Sequence, residues 1–281
     1  MSRILCGLAL ASIFVFAAPV HGDWDPGDGH KMHYPQLPDL DFGLDVLNGP
    51  YVLSAGSVPP YSKFLADDFL CTQTGPITDL HVWGSWWDDL NPPALQPKTF
   101  AVGIFANILP GVGGIDYSRP GRLLWQARLQ PTERLYTIAQ EEFFDPNQNA
   151  IVGGDTQVWQ YNFDIPADEA FEQKEGEIYW LGMALLADVN GDFVVDTLDI
   201  VELPNLAPFA YGWKTSQDRF EDAAVWSELD PLDPTIPVDP VWRVLVDPRT
   251  TEPLQLAFVI TPEPASIAVL AGGLVLLMRR R

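Results

Sequence analysis

The feature that most constrains this chain is a rhythm of short apolar or alternating runs separated by turn residues. The runs cover residues 64–71, 79–87, 100–107, 123–129, 135–144, 158–163, 178–186, 211–215, 242–246 and 254–260. Gly75-Pro76, Asn91-Pro92-Pro93, Gly113-Gly114 and Gly153-Gly154 fall between or beside them. Runs this short, bounded by Gly and Pro, read as strands. One segment breaks the pattern. Residues 166–174 predict a short helix, with Pro166 near its start and Asp164 as N-cap. A further turn is expected over residues 217–223. No strand–helix–strand alternation, phosphate-binding Gly loop, Gly-x-Ser-x-Gly or zinc-type Cys/His spacing is present. The expected fold class is therefore all-β, an antiparallel, jelly-roll-like β-sandwich. It should occupy residues 64–261, with residues 23–63 as an irregular lead-in.

Charge narrows the partners. The chain has 38 acidic and 16 basic residues, a net charge of −22. No basic patch is visible, so nucleic acid is excluded as a partner, since phosphate contacts dominate its affinity. Strong acidity suits solubility and cation binding better. Residues 1–22 have the parts of a signal peptide: Arg3, an apolar stretch over residues 4–18, then Val20 and Gly22 before Asp23. Its cleavage by signal peptidase would remove Cys6 and leave Cys71, so no intramolecular disulfide is expected. Cys71 itself reads as a small buried hydrophobe.

The strand over residues 79–87 puts Asp79, His81, Trp83, Ser85 and Trp87 on one face and Leu80, Val82, Gly84 and Trp86 on the other. His81, Trp83 and Trp87 are candidates for a glycan platform, and packing of the tryptophans under loops is the plainer reading. Trp159, Tyr161 and Phe163 are expected to face the core. The acidic neighbours Asp67-Asp68, Asp88-Asp89 and Glu141-Glu142 invite a glycosidase reading. Adjacent strand residues point to opposite faces, so no such pair can form a two-carboxylate site by itself. No catalytic residues are assigned.

The sharpest internal motif is Asp188-Val189-Asn190-Gly191-Asp192-Phe193-Val194-Val195-Asp196-Thr197-Leu198-Asp199. Asp188, Asn190, Asp192, Asp196 and Asp199 fall at loop positions 1, 3, 5, 9 and 12, and Val194 at position 7 would offer its carbonyl. This is the spacing of an all-oxygen Ca²⁺ loop, so calcium is the expected cofactor. The pattern resembles a single loop of type I dockerins. It departs from them at position 6, where Phe193 replaces the Gly of the sharp turn, and in having one repeat rather than two.

The C-terminus carries a second address. Pro262-Glu263-Pro264 is followed by residues 265–278, without charge, and then Arg279-Arg280-Arg281. The prolines cannot sit inside a helix. The apolar run would span roughly 21 Å as a helix, and flanking arginines extend its reach into a bilayer. The arrangement resembles the PEP-CTERM sorting signal, which implies a transmembrane helix, processing by an exosortase near Pro262-Glu263-Pro264, and delivery to the cell surface or beyond. An uncleaved tail anchor is the alternative. Phrases such as Leu65-Ala66-Asp67-Asp68-Phe69, Trp83-Gly84-Ser85-Trp86, Trp159-Gln160-Tyr161-Asn162-Phe163 and Gly212-Trp213-Lys214-Thr215-Ser216 resemble a domain of unknown function of exported bacterial proteins with the same tail. The resulting expectation is an exported, non-enzymatic envelope or matrix protein stabilised by calcium. A carbohydrate-binding module, with extracellular polysaccharide as partner, is the alternative.

Overall fold

A computed structural model describes residues 23–52, 62–93, 95–196, 199, 202, 208–229 and 241–261. Fifteen strands are present among them: β1 (Leu44–Leu47), β2 (Ser62–Leu70), β3 (Gly75–Ile77), β4 (Asp79–Trp86), β5 (Phe100–Ile108), β6 (Arg119–Leu129), β7 (Thr132–Asp145), β8 (Ala150–Asp164), β9 (Phe171–Gln173), β10 (Ile178–Leu185), β11 (Tyr211–Ser216), β12 (Val225–Leu229), β13 (Arg243–Val244), β14 (Gln255–Leu256) and β15 (Phe258–Ile260). The all-β expectation holds. The predicted signal and sorting helices, with Pro262, Glu263, Pro264, Arg279, Arg280 and Arg281, lie outside the described residues. Among the described residues no helix is long and apolar enough to cross a membrane.

Two sheets face one another. The first runs β14-β11-β1-β7-β8-β4-β15, and the second β13-β12-β2-β10-β5-β6. Between them lies the main core, with Val46, Leu65, Phe69, Val82, Trp86, Phe100, Tyr161, Phe163, Leu181, Met183, Tyr211, Trp213 and Phe258 all buried. Tyr161 and Phe163 face it as expected, and the partly buried Trp159 packs against it. Cys71 is buried in the same core, where loss of solvent raises its thiol pKa.

Three features differ from a simple antiparallel sandwich. First, β1 pairs in parallel with β7 and antiparallel with β11. Second, β4 lends one edge partly to β15 and partly to β11, so β11, β1, β7, β8 and β4 form a closed hydrogen-bonded circuit. The first sheet thus curls into a partial barrel. Third, the stretch expected to be an irregular lead-in is built into the domain. It supplies β1, and Trp24 and Met32 are buried. Gln36 spans to Asp67 and to the Leu256 carbonyl.

Local signals were misread where two structures share one vocabulary. The helix expected over residues 166–174 is a turn leading into β9, which pairs with β3. Pro166 and the preceding Asp164 suit a turn as well as a helix start. Gly153-Gly154 does not end a strand but lies inside β8. Side chains are excluded there because the Trp87 indole occupies the place of a Gly153 Cβ and the Glu141 carbonyl that of a Gly154 Cβ.

Candidate cation sites

The loop that follows β10 is folded around Asp188, which is fully buried. Its Oδ1 accepts the N–H groups of Gly191 (2.8 Å) and Asp192 (3.2 Å), and its Oδ2 accepts that of Phe193 (3.0 Å) and the Thr99 hydroxyl (2.7 Å). Loop positions 4, 5 and 6 are therefore gathered on the side chain at position 1. Asp192 accepts from the Val194 N–H through Oδ1 (2.8 Å) and from the Asn190 amide through Oδ2 (3.1 Å). At the far end Asp199 accepts the N–H groups of Val189 (2.9 Å) and Asp196 (2.9 Å), bringing position 12 beside position 2.

Phe193 has φ of +67°. That is the left-handed conformation which glycine adopts freely and other residues adopt at roughly 1 kcal/mol or more. The chain thus makes a left-handed turn at position 6 of the motif without a glycine there. The Gln130 amide reaches the Gly191 carbonyl (3.1 Å), and Arg128 reaches the Phe193 carbonyl, tying the loop to β6 and the turn after it. The carboxylates at positions 1, 5, 9 and 12 are occupied with backbone N–H groups. Among the described residues they form no group of three with oxygens close enough to share an ion.

Such a group does occur elsewhere. Asp45 on β1, Glu141 on β7 and Asp155 on β8 each place one carboxylate oxygen within 4.8 Å of the others. Register brings them together: Asp45 lies opposite Lys214 of β11, and Glu141 lies opposite Asp155. A register shift between Ile138 and Glu141 interrupts the ladder just before the cluster. Flat strands two apart stand roughly 9.6 Å from one another, at about 4.8 Å per strand. Asp45 and Asp155 meet across that gap because their side chains converge.

The cluster is dry. Asp45 is fully buried and Glu141 and Asp155 are each 5% exposed. Lys214 lies 3.5 Å from Asp45 and closer to Glu141, and among the described residues it is the one basic side chain paired with them. Burial, then Asp45, pushes the Glu141 carboxyl up to about 9, against the pull of Lys214. Burial, then Asp45 and Glu141, pushes Asp155 up to about 10. The oxygens of all three lack a hydrogen-bond donor of good geometry. Asp145 shows the contrast. Burial works against its charge too, but Lys63 (3.1 Å), Tyr51 (3.1 Å), the Asn147 N–H and the Gln148 amide surround it and hold its carboxyl below the usual range.

No spacing along the chain could have revealed this cluster, because its members come from three strands, β1 and the two arms of the β7–β8 hairpin. The available signal was charge inside apolar runs: Asp45 within Leu44-Asp45-Val46-Leu47, and Lys214 after Tyr211-Gly212-Trp213. Of the acidic neighbours, Glu141 points into the cluster while Glu142 is exposed and meets Arg249 at 2.8 Å. Asp67 accepts from Gln36 and the N–H groups of Leu256 and Asp68, whereas Asp68 is buried without a donor. Asp88 and Asp89 lie in a 3-10 turn after β4 rather than on a strand.

The expected glycan platform is not an open face. Trp83 is fully buried between Trp24 (5.9 Å, edge-on) and Tyr136 (5.7 Å, edge-on). His81 is buried with Asn162 at 2.6 Å, Asp79 at 3.3 Å and Thr261 at 3.4 Å. Trp87 sits past the end of β4 and packs with Leu47, Tyr51 and Phe143, in a different cluster. The lead-in covers the face that strand alternation left to be filled. Among the described residues an open cleft of about 650 Å³ lies elsewhere, beside Asn107, Leu124, Phe171, Lys174 and Tyr179.

A family model described as a domain of unknown function (DUF7901) matches residues 32–261. No curated protein and no solved structure matches the chain.

Proposed function

The chain belongs to the DUF7901 family of unknown function, and from that premise we propose an exported, non-enzymatic component of the cell envelope or extracellular matrix whose 188–199 loop takes up Ca²⁺. The two terminal addresses support the destination: a signal-peptide pattern before Asp23, and a PEP-CTERM-like tail beginning at Pro262. Signal peptidase and an exosortase are the implied processing partners. The observation that carries the calcium reading is Phe193 at φ +67°. A turn that costs energy in a phenylalanine is held where a Ca²⁺ loop needs it, with Asp188 drawing in positions 4 to 6 and Asp199 closing on Val189. Asn190, Asp192, the Val194 carbonyl and Asp196 complete the proposed oxygen set with Asp188 and Asp199. Binding would exchange some backbone N–H contacts of these carboxylates for the ion. A glycan-binding role would have to use a surface other than Trp83 and His81, and the open cleft beside Tyr179 is where to test it.

Thermal unfolding with Ca²⁺ and then with EDTA tests the loop. An ion that binds only the folded chain stabilises it by about 2.7 kcal/mol at a hundredfold excess over Kd. The shift should shrink in Asp192→Ala, whose side chain is exposed and whose replacement offers no oxygen, and the loop's share of it should survive in Asp155→Asn. Phe193→Gly should raise the melting midpoint in cation-free buffer, by up to about 1 kcal/mol of relieved strain, because the left-handed turn is already made without the ion. A Ca²⁺ shift indifferent to Asp192→Ala would sink the loop assignment. The destination is tested by intact mass of the protein recovered from cells: mature ends at Asp23 and near Pro262–Pro264 are expected, and a chain still ending at Arg281 removes the processing step.

A further inference from the structure

We propose that Asp45, Glu141 and Asp155 form a second cation site, built into the curled sheet, that takes a hard divalent ion such as Mn²⁺, Mg²⁺ or Ca²⁺. This goes beyond the loop reading and shares no residue with it. The donor set is purely carboxylate, which suits hard cations and not thiolate- or imidazole-seeking metals. The three offered oxygens lie within 4.8 Å of one another. Ligands on opposite sides of a hard divalent ion stand about 4–5 Å apart, given bonds of about 2.0–2.6 Å. One ion can therefore touch all three with little rearrangement.

Asp155 supplies the independent observation. It is 95% buried by its 5% exposure, it points into the cluster, and neither of its oxygens accepts a hydrogen bond. Buried polar atoms almost always have a partner, and an unpartnered one signals something missing from its surroundings. This fold can supply donors where it needs them: Asp188, Asp67 and Asp145, also buried, each accept at least three hydrogen bonds or ion pairs. Charge points the same way. Three carboxylates face one ammonium, Lys214. A divalent ion makes the ionised cluster neutral, with Lys214 kept beside Asp45 and Glu141.

The test uses the full chain, stripped with EDTA and titrated by calorimetry with Mn²⁺ and, separately, Ca²⁺. Asp192→Ala, which removes the position-5 oxygen, serves as the background in which the loop is disabled. That variant should still bind one ion, and adding Asp155→Asn or Glu141→Gln should abolish the binding. In cation-free buffer Asp155→Asn should melt no lower than its parent, because it replaces a buried carboxyl group whose oxygens have no hydrogen-bond partner. Failure of the loop reading alone leaves wild type and Asp192→Ala binding the same single ion, and both cluster variants losing it. The proposal is overturned if Asp192→Ala takes up neither ion at millimolar concentration, or if both cluster variants leave its binding unchanged. A midpoint lowered by both Asp155→Asn and Glu141→Gln in cation-free buffer also overturns it, since the carboxylates would then serve the fold rather than an ion.

Discussion

Asp68 is a carboxylate with nothing to hold its charge. It is fully buried on β2, and neither oxygen accepts a hydrogen bond. Burial, then Asp67, Asp222 and Glu221, raises its carboxyl to about 9. The unfolded value is about 3.9. Between these values the folded chain keeps a proton that the unfolded chain has lost. The stabilisation is complete below about pH 4 and disappears as pH rises through about 9. One such proton contributes a slope approaching 1.4 kcal/mol per pH unit, as an order of magnitude. Urea midpoints at pH 5, 6.5 and 8 should therefore fall in the wild type more steeply than in Asp68→Asn, and the variant should be the more stable at pH 8. Equal slopes would show that Asp68 finds a partner or water in solution.

At the level of elements, the long β7–β8 hairpin does most of the positioning. It carries Glu141 and Asp155, and its glycines make room for other groups. A methyl group on Gly153 would overlap the Trp87 indole. Gly153→Ala should therefore destabilise the chain by about 1–3 kcal/mol, the usual range for an overpacked site. In a Trp87→Ala background the same change should cost much less, a coupling that a double-mutant cycle measures directly. This hairpin also marks where sequence and structure part. The alternation of residues 158–163 and the apolar run of 178–186 were legible as strands because one face of each meets the core. Gly153-Gly154 was not legible as strand, because the space it leaves for Trp87 and Glu141 depends on chain folded elsewhere. The calcium-like spacing of residues 188–199 was readable because its ligands are local. The cluster of Asp45, Glu141 and Asp155 was not, because only the parallel pairing of β1 with β7 assembles it.

Across the whole molecule, the segment before β1 behaves as a lid on the first sheet. Trp24 is 3% exposed and packs edge-on against Trp83. Arg134 and Gln160 hold its carbonyl at 2.9 and 2.8 Å. Trp24→Ala should cost about 3 kcal/mol, at the lower end for a buried tryptophan, since a segment near the end of the domain can relax into the gap. It should also shift Trp83 fluorescence to the red as water reaches the indole. An unchanged urea midpoint would show that the lid is not part of the cooperative unit. The seam between β15 and β4 carries a further consequence. Phe258 pairs with Val82, and Thr261 donates its N–H to the Asp79 carbonyl, so one edge of an early strand waits for the last one. Distant pairing of this kind is slow to form and leaves strand edges open meanwhile. During synthesis the sheet therefore cannot be completed until residue 261 has emerged, and maturation of this domain is timed by the delivery of β15.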